Sequence, residues 1–297
     1  MKIIYINLQH EINRRYRLFK EFKKSNISPN EYEQYSSLWG RNIGQKLISL
    51  LIKNEKLVNS RLWLTNFNAL DKSKLAIYLS HVFLWEKIYN DYIGNDKTEY
   101  GWYNLILEDD VILPLPTKKI IYINNNNSEN NENQNNENQK RKTLIQSRLQ
   151  DKIEDNLKNV PEDWDILFIG RSKFLDGVKV APNIIKPNPV HKRLTNHGMF
   201  AYIIKTSSIP KLLKIMLPVP PTYNHVDWKV RSHYTNANTV DTTKSINAYY
   251  LEKPLVTHNY KIPSIRGQEN MANRYTNMYM KKNPSSSQTI PRYRRPH

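Results

Sequence analysis

Three short apolar runs stand out in the sequence: Lys2–Asn7 (KIIYIN), Tyr103–Leu107 (YNLIL) and Asp165–Gly170 (DILFIG). Each is too short to be a helix and rich in β-branched or aromatic side chains, so each reads as a buried strand. Helical spacing fills the ground between and after them. Asn13–Lys24 is a basic helix for which Asn13 is the available N-cap. Ser73–Tyr92 places Leu75, Leu79, Val82 and Phe83, and again Ile77, Leu84 and Ile88, at helical intervals. Being apolar on more than one face, it is expected to be buried. Ala201–Ile204 is a further strand leading into a helix over Ser208–Met216, where Pro210 is tolerable because it falls in the first turn. Asn247–Leu251 and Leu255–Thr257 are the last strand pieces. Strands alternating with helices specify an α/β domain.

Two segments stand outside this pattern. Asn124–Gln139 reads NNNNSENNENQNNENQ, a polar tract that buries too little apolar area to offset the entropy of ordering it. With its flanks, Thr117–Gln150, it reads as a surface excursion. The Ser-, Pro- and Arg-rich segment Lys281–His297 reads as a mobile tail. What is left of the 297 residues makes a single domain over residues 1–280, at the large end of the usual size. No internal repeat at solenoid periods is present.

Composition narrows the function classes. The chain contains no cysteine, which excludes a disulfide scaffold, a thiolate metal site and a cysteine nucleophile. No opening apolar stretch resembles a signal peptide, and no run approaches the roughly 18 apolar residues of a membrane span. A cytoplasmic setting, or the host-cell cytoplasm for a viral chain, is the expectation. The formal charge is +18, which suits nucleic acid, an anionic membrane face or a negatively charged substrate such as a sugar nucleotide. The abundance of Lys, Asn, Ile and Tyr also follows from AT-rich coding, which by itself leaves basic residues on a solvated surface.

The segment richest in chemistry is Asn104–Leu113, NLILEDDVIL. Three consecutive carboxylates follow an apolar strand, and like charges cluster only where a cation or donors neutralise them. A hard divalent ion with oxygen ligands, Mg²⁺ or Mn²⁺, is the simplest partner. A solvated strand end is the alternative. In an extended chain Glu108 and Asp110 face one side and Asp109 the other. A metal at a strand end suits a diphosphate ligand, whose departing charge it stabilises. That chemistry fits sugar-nucleotide transfer and some phosphoryl transfer. Neither GxxxxGK[ST] nor GxGxxG occurs, which argues against a P-loop NTPase or a dinucleotide-dependent dehydrogenase.

Taken in order, these residues resemble the family-25 glycosyltransferases, which include lipopolysaccharide and procollagen hydroxylysine galactosyltransferases. YINL at Tyr5–Leu8 with Arg14, Arg15 and Arg17 resembles the family's INL…RR opening, and LAIYLSHVFLWE at Leu75–Glu86 its LSH…W helix. LILEDDVIL and WDILFIG at Trp164–Gly170 match closely. HGMFAYIIKTSSIPKLL at His197–Leu213, NHVDW at Asn224–Trp228 and PLVTHNYKIPSI at Pro254–Ile265 complete the series. The sequence departs from the pattern at Gln9–His10, where the family has an Asp, and at DKSKLAIY, where the family is Gly-rich. The resemblance implies a GT-A-like fold, a Rossmann-type mixed sheet with helices on both faces. It also implies a UDP-sugar donor, Mn²⁺ or Mg²⁺, and inverting transfer of a hexose, galactose or glucose. The acceptor would be a glycan or a collagen-like protein.

The resemblance and the chemistry together nominate individual residues. Asp110 is expected as a metal ligand, Glu108 as a ligand or ribose contact, and Asp109 as a supporting group. His258 is the third metal candidate, because related enzymes supply a histidine late in the chain; a loop histidine is the alternative. Asn7, Ser80, His81 and Gly198 are candidate donor contacts. Ser80 and His81 also read as core residues that must find partners, and Gly198 as a tight turn. Adjacent positions on a helix diverge, so Ser80 and His81 are no hydrolase pair. Asp227 is the candidate general base, with helix capping as its alternative role and His225 as its nearest substitute. Two other functions compete. A nucleic-acid binder draws on the charge and on Arg274–Arg295 but lacks any zinc-finger, RNP or helix-turn-helix signature. An inactive sugar-nucleotide-binding module is opposed by the intact EDD triplet.

Overall fold

The structure, a computed structural model, describes residues 1–65, 68–94, 100–123, 141–171, 177–188, 198–221, 225–234 and 244–262. The first apolar run forms β1 (Lys2–Asn7), buried along all but its first residue. It lies between two parallel neighbours, β2 (Tyr32–Ser36) and β3 (Tyr103–Glu108). The chain reaches β2 through α1 (Ile12–Lys24). It returns to β3 through α2 (Gln45–Lys53), the short α3 (Leu62–Thr65) and the long α4 (Ala69–Gly94).

Side-chain alternation along these strands builds a core on each face of the sheet. Ile3, Tyr5 and Leu105 pack with Leu18 and Phe22 of α1. Ile4, Ile6 and Ile106 pack with Leu75, Leu79 and Val82 of α4. The two-faced apolar pattern of the long helix thus has its cause: α4 lies under the sheet and is covered on its other side by α6 (Ile209–Met216), where Tyr78 donates to the Met216 carbonyl at 2.7 Å.

Beyond β3 the sheet becomes mixed. β10 (Ala201–Lys205) pairs antiparallel with both β3 and β7 (Ile166–Phe168). β11 (Ala248–Leu251) runs parallel to β7, and β9 (Ile184–Pro187) and β8 (Gly177–Ala181) finish the edge. The strand order is β2-β1-β3-β10-β7-β11-β9-β8. Beside this sheet β4 (Val111–Ile112) pairs with β12 (Thr257–His258). The final helix described, α7 (Val226–Ser232), tucks Val226 and Val230 into the α4 core.

The structure differs from the sequence expectations in two local ways. α1 begins at Ile12, so Glu11 rather than Asn13 occupies the N-cap position, without a side-chain cap bond. The excursion Thr117–Gln150 is not wholly unstructured: β5 (Thr117–Ile123) and β6 (Arg141–Ser147) form an antiparallel hairpin. It also ends earlier, because Leu149 and Ile153 are buried at the start of α5 (Leu149–Leu157). The polar tract hid the short apolar runs flanking it. Asn124–Gln139 itself and Lys281–His297 lie outside the described residues.

Thr117 and Ser147 are paired directly across the hairpin base, so few residues are needed to join them. Replacing residues 118–146 with a short Gly/Ser linker should therefore shift the thermal midpoint by only a few degrees, since closure entropy changes slowly with loop length. A large drop would show that the hairpin buttresses the domain.

Candidate functional site

β1 and β3 are neighbours from which the connections diverge: α1 leads from β1 outward to β2, and α4 leads back past β1 to β3. Such a switch point opens a crevice at the carboxyl ends of the strands. A cleft of about 330 Å³ lies there, the size of a small-molecule site. It is bordered by Asn7 at the end of β1, Ser37–Gly40 beyond β2, Glu108–Asp110, Gly198–Phe200, Asp227 and His258. Ser80 and His81 of α4 form its floor. The nominated residues therefore meet in one place.

Arg14 neutralises the carboxylates. Glu108 ends β3, and Asp109 and Asp110 form the turn into β4, which breaks the alternation expected of an extended chain. Both aspartates consequently reach the same guanidinium. Arg14 donates through Nε to Asp109 Oδ1 at 2.8 Å, through Nη2 to the same oxygen, and through Nη2 to Asp110 Oδ2 at 3.1 Å. Asn7 Nδ2 donates to Asp109 Oδ2 at 2.6 Å. All three charged residues are buried, at 5–7% exposure. Burial works against the charge on Arg14, but the neighbouring carboxylates outweigh it and raise its pKa. The counter-charge expected from a divalent ion is thus supplied in part by the protein. Asp109 is fully engaged in this pairing.

Asp110 keeps one oxygen without a partner among the described residues. The β4–β12 pairing sets His258 opposite Val111, which brings its Nε2 to 3.3 Å from Asp110 Oδ2. The Asp110 hydrogen bond raises the pKa of His258 above its ordinary value despite burial. Burial pushes Asp110 up in turn, but His258 and Arg14 outweigh it and hold the carboxyl below the usual range. Asp110 Oδ1 is buried with no hydrogen-bond partner among the described residues, and so is His258 Nδ1. A partnerless buried carboxylate oxygen is an oxygen ligand of the kind a hard divalent ion takes, while His258, engaged with Asp110 through Nε2, has Nδ1 left to offer. The expected trio of Glu108, Asp110 and His258 is not assembled, however. Among the described residues no group of three His, Asp or Glu side chains could hold a metal, because Glu108 turns toward α4.

There it meets a chain of buried polar groups. Trp85 Nε1 donates to Tyr202 Oη at 2.8 Å, and Tyr202 Oη lies 2.9 Å from His81 Nδ1. Indole only donates, so the tyrosine proton is free to go to Nδ1, which leaves the His81 proton on Nε2. That nitrogen faces Glu108 Oε1 at 3.3 Å. His81 is both a satisfied core histidine and the group that orients Glu108. Ser80 is likewise engaged within the protein: its hydroxyl donates to the Ala76 carbonyl at 2.7 Å and accepts from Leu38 N–H at 2.9 Å.

On the opposite wall, Gly198 has φ +95°, a conformation that explains the glycine without any ligand. Its N–H donates to Asp227 Oδ2 at 3.1 Å. Asp227 lies in the first turn of α7, while His225 holds the N-cap position. The aspartate therefore ties the segment before β10 to α7 and still lines the cleft.

Over residues 1–228 the sequence matches the family model described as Glycosyltransferase family 25 (LPS biosynthesis protein). The chain belongs to glycosyltransferase family 25. No curated protein matches it. Its mixed sheet with helices on both faces is the GT-A-like α/β architecture that the resemblance implied. No helix among the described residues is long and apolar enough to cross a membrane.

Two residues of this family-25 site were not nominated for it from the sequence, although Arg14 belongs to the INL…RR opening. Arg14 shares a helical stripe with Leu18 and Phe22, and all three are buried. An arginine at i of an apolar i, i+4, i+8 stripe was a readable signal for a buried ion pair. Trp39, which lines the cleft beside His10 (ring centroids 4.4 Å apart) and under Arg41, sits in an aperiodic loop that carries no such signal.

Proposed function

We propose that the chain is a metal-dependent, inverting glycosyltransferase that moves a hexose, galactose or glucose, from a UDP-sugar to a hydroxyl of a glycan or a collagen-like protein. The observation that carries this reading is the partnerless Asp110 oxygen beside His258, at the sheet's switch point, in the same cleft as the Asp227 carboxylate. Asp110 and His258 would hold Mn²⁺ or Mg²⁺, and the ion would supply positive charge against the departing UDP. Arg14 fixes the Asp109–Asp110 turn so that the Asp110 oxygen keeps its place. Glu108, oriented by His81, is placed to accept from a ribose or sugar hydroxyl. Trp39, flanked by His10 and Arg41, would contribute an aromatic contact to the donor from the cleft wall.

Asp227 is assigned as the general base. As the acceptor oxygen bonds to the anomeric carbon, the bond from that carbon to the diphosphate oxygen breaks, and the acceptor proton passes to the Asp227 carboxylate. Attack from the face opposite the leaving group inverts the configuration.

The test is an assay of UDP release by purified protein, with Mn²⁺ and a panel of UDP-sugars, with and without glycan and hydroxylysine peptide acceptors. Turnover of one donor, abolished by chelation and restored by Mn²⁺, is the expected result. Asp110→Asn should remove most of that activity without unfolding the protein, because it keeps the shape of the side chain and removes its charge. Wild-type rates in that variant would take the carboxylate cluster out of the mechanism. Donor binding without turnover would favour a binding module.

A further inference from the structure

The surface of α1 carries a feature that the cleft chemistry does not use. Its inward stripe is Arg14, Leu18 and Phe22, while its outward residues are Ile12, Asn13, Tyr16, Arg17, Lys20, Lys23 and Lys24. Four of the outward seven are basic and none is acidic. Within the helix the single acid, Glu21, is turned inward: its side chain is 16% exposed and accepts from the Leu113 N–H and from Lys24. Among the described residues no carboxylate lies within ion-pair distance of Arg17, Lys20 or Lys23. Ile12 and Tyr16, one turn apart, are more than 60% exposed, and Lys20 lies over the Tyr16 ring at 4.7 Å. Beside the C-terminal end of the helix, where Ser25 donates to the Pro114 carbonyl, Leu115 is 64% exposed.

We infer that this face of α1 docks on a bilayer containing anionic lipid. Basic side chains with apolar anchors among them match an anionic headgroup layer, which takes charge at its surface and aliphatic or aromatic groups just beneath. Exposed Ile12 and Leu115 gain nothing against a nucleic-acid phosphate backbone, which rewards charge alone. The position of the helix gives the docking a use. α1 begins directly after Leu8–Glu11, and Leu8 borders the cleft, so the Ile12 end lies near the cleft. An acceptor attached to the membrane would be held within reach.

Cosedimentation of the full chain with vesicles tests the inference. Phosphatidylcholine vesicles should bind little. Vesicles with about 30% phosphatidylserine should bind well, and less as salt rises, because screening weakens surface charge. Each basic residue near an anionic surface is worth roughly a fivefold change in partition, so R17Q/K20Q/K23Q should lower binding on the order of 10²-fold. Ile12→Ser with Tyr16→Ser should lower vesicle binding by about tenfold through lost insertion while leaving heparin binding intact. Circular dichroism of each variant checks that the fold persists. Equal binding to neutral and anionic vesicles overturns the inference. So does unchanged binding in the triple variant, or a loss in the Ile12/Tyr16 variant that heparin reproduces, which would point to a polyanionic macromolecule instead. UDP release from the UDP-sugar in the presence of a soluble acceptor is measured alongside. Vesicle binding without turnover would defeat the transferase reading and leave this one standing.

Discussion

Arg14→Ala should be among the most destabilising single substitutions in the protein, lowering its stability by about 3–5 kcal/mol. The residue sits at 6% exposure between two aspartates that are equally buried. Removing it leaves both carboxylates in a low-dielectric site, with Asn7 and His258 as their remaining side-chain partners among the described residues. The cost comes from the charges left behind more than from the bonds lost. A double substitution separates these. Arg14→Met combined with Asp109→Asn removes a charge of each sign, so it should recover much of the loss. Arg14→Lys should fall between, because an ammonium lacks the planar fork that reaches two carboxylates at once. Urea denaturation midpoints of the four proteins give the comparison. If Arg14→Ala unfolded at the wild-type midpoint, the ion triplet would be solvated and the account of the turn would be wrong.

Asp227→Asn should lower kcat by a factor on the order of 10²–10⁴ while leaving donor affinity and stability nearly unchanged. The amide keeps one oxygen for the Gly198 N–H, so the tie between α7 and the β10 segment survives. What it cannot do is take a proton from an attacking hydroxyl. Kinetics of UDP release, isothermal titration with the donor and a thermal melt distinguish the roles. A fall in melting temperature with kcat preserved would make Asp227 a structural tie and move the base elsewhere, with His225 the first residue to try.

The elements most legible in the sequence are those whose burial is complete, while half-exposed α1 showed through its helical spacing. β1, β3, β7 and α4 were readable because both faces of each are covered, so their apolar runs are continuous. β2 was not, since YEQYS lies at the sheet edge and is only half-buried. An edge strand need not advertise itself by hydrophobicity. The site divides in the same way. Glu108, Asp110, Asp227 and His258 were legible as chemistry, and the fold gathers them into one cleft. The partition of their partners was not legible. That Arg14 takes both aspartates follows from a turn at Asp109–Asp110, and a turn written in acidic residues looks the same as an extended strand end. That Glu108 pairs with His81 depends on α4 crossing beneath β3, a matter of packing that no local spacing records.

The position of β11 has a consequence for anyone truncating the chain. The family match ends at residue 228, inside α7. β11 comes later, yet it is the sixth strand of eight and lies between β7 and β9. A fragment cut at 228 would expose the flank of β7, whose three residues are wholly buried, and would detach β9 and β8 from the sheet. It would also lose His258. An open flank of that kind recruits other chains, so such a fragment should precipitate on expression. The shortest fragment worth making must run to at least Ile262.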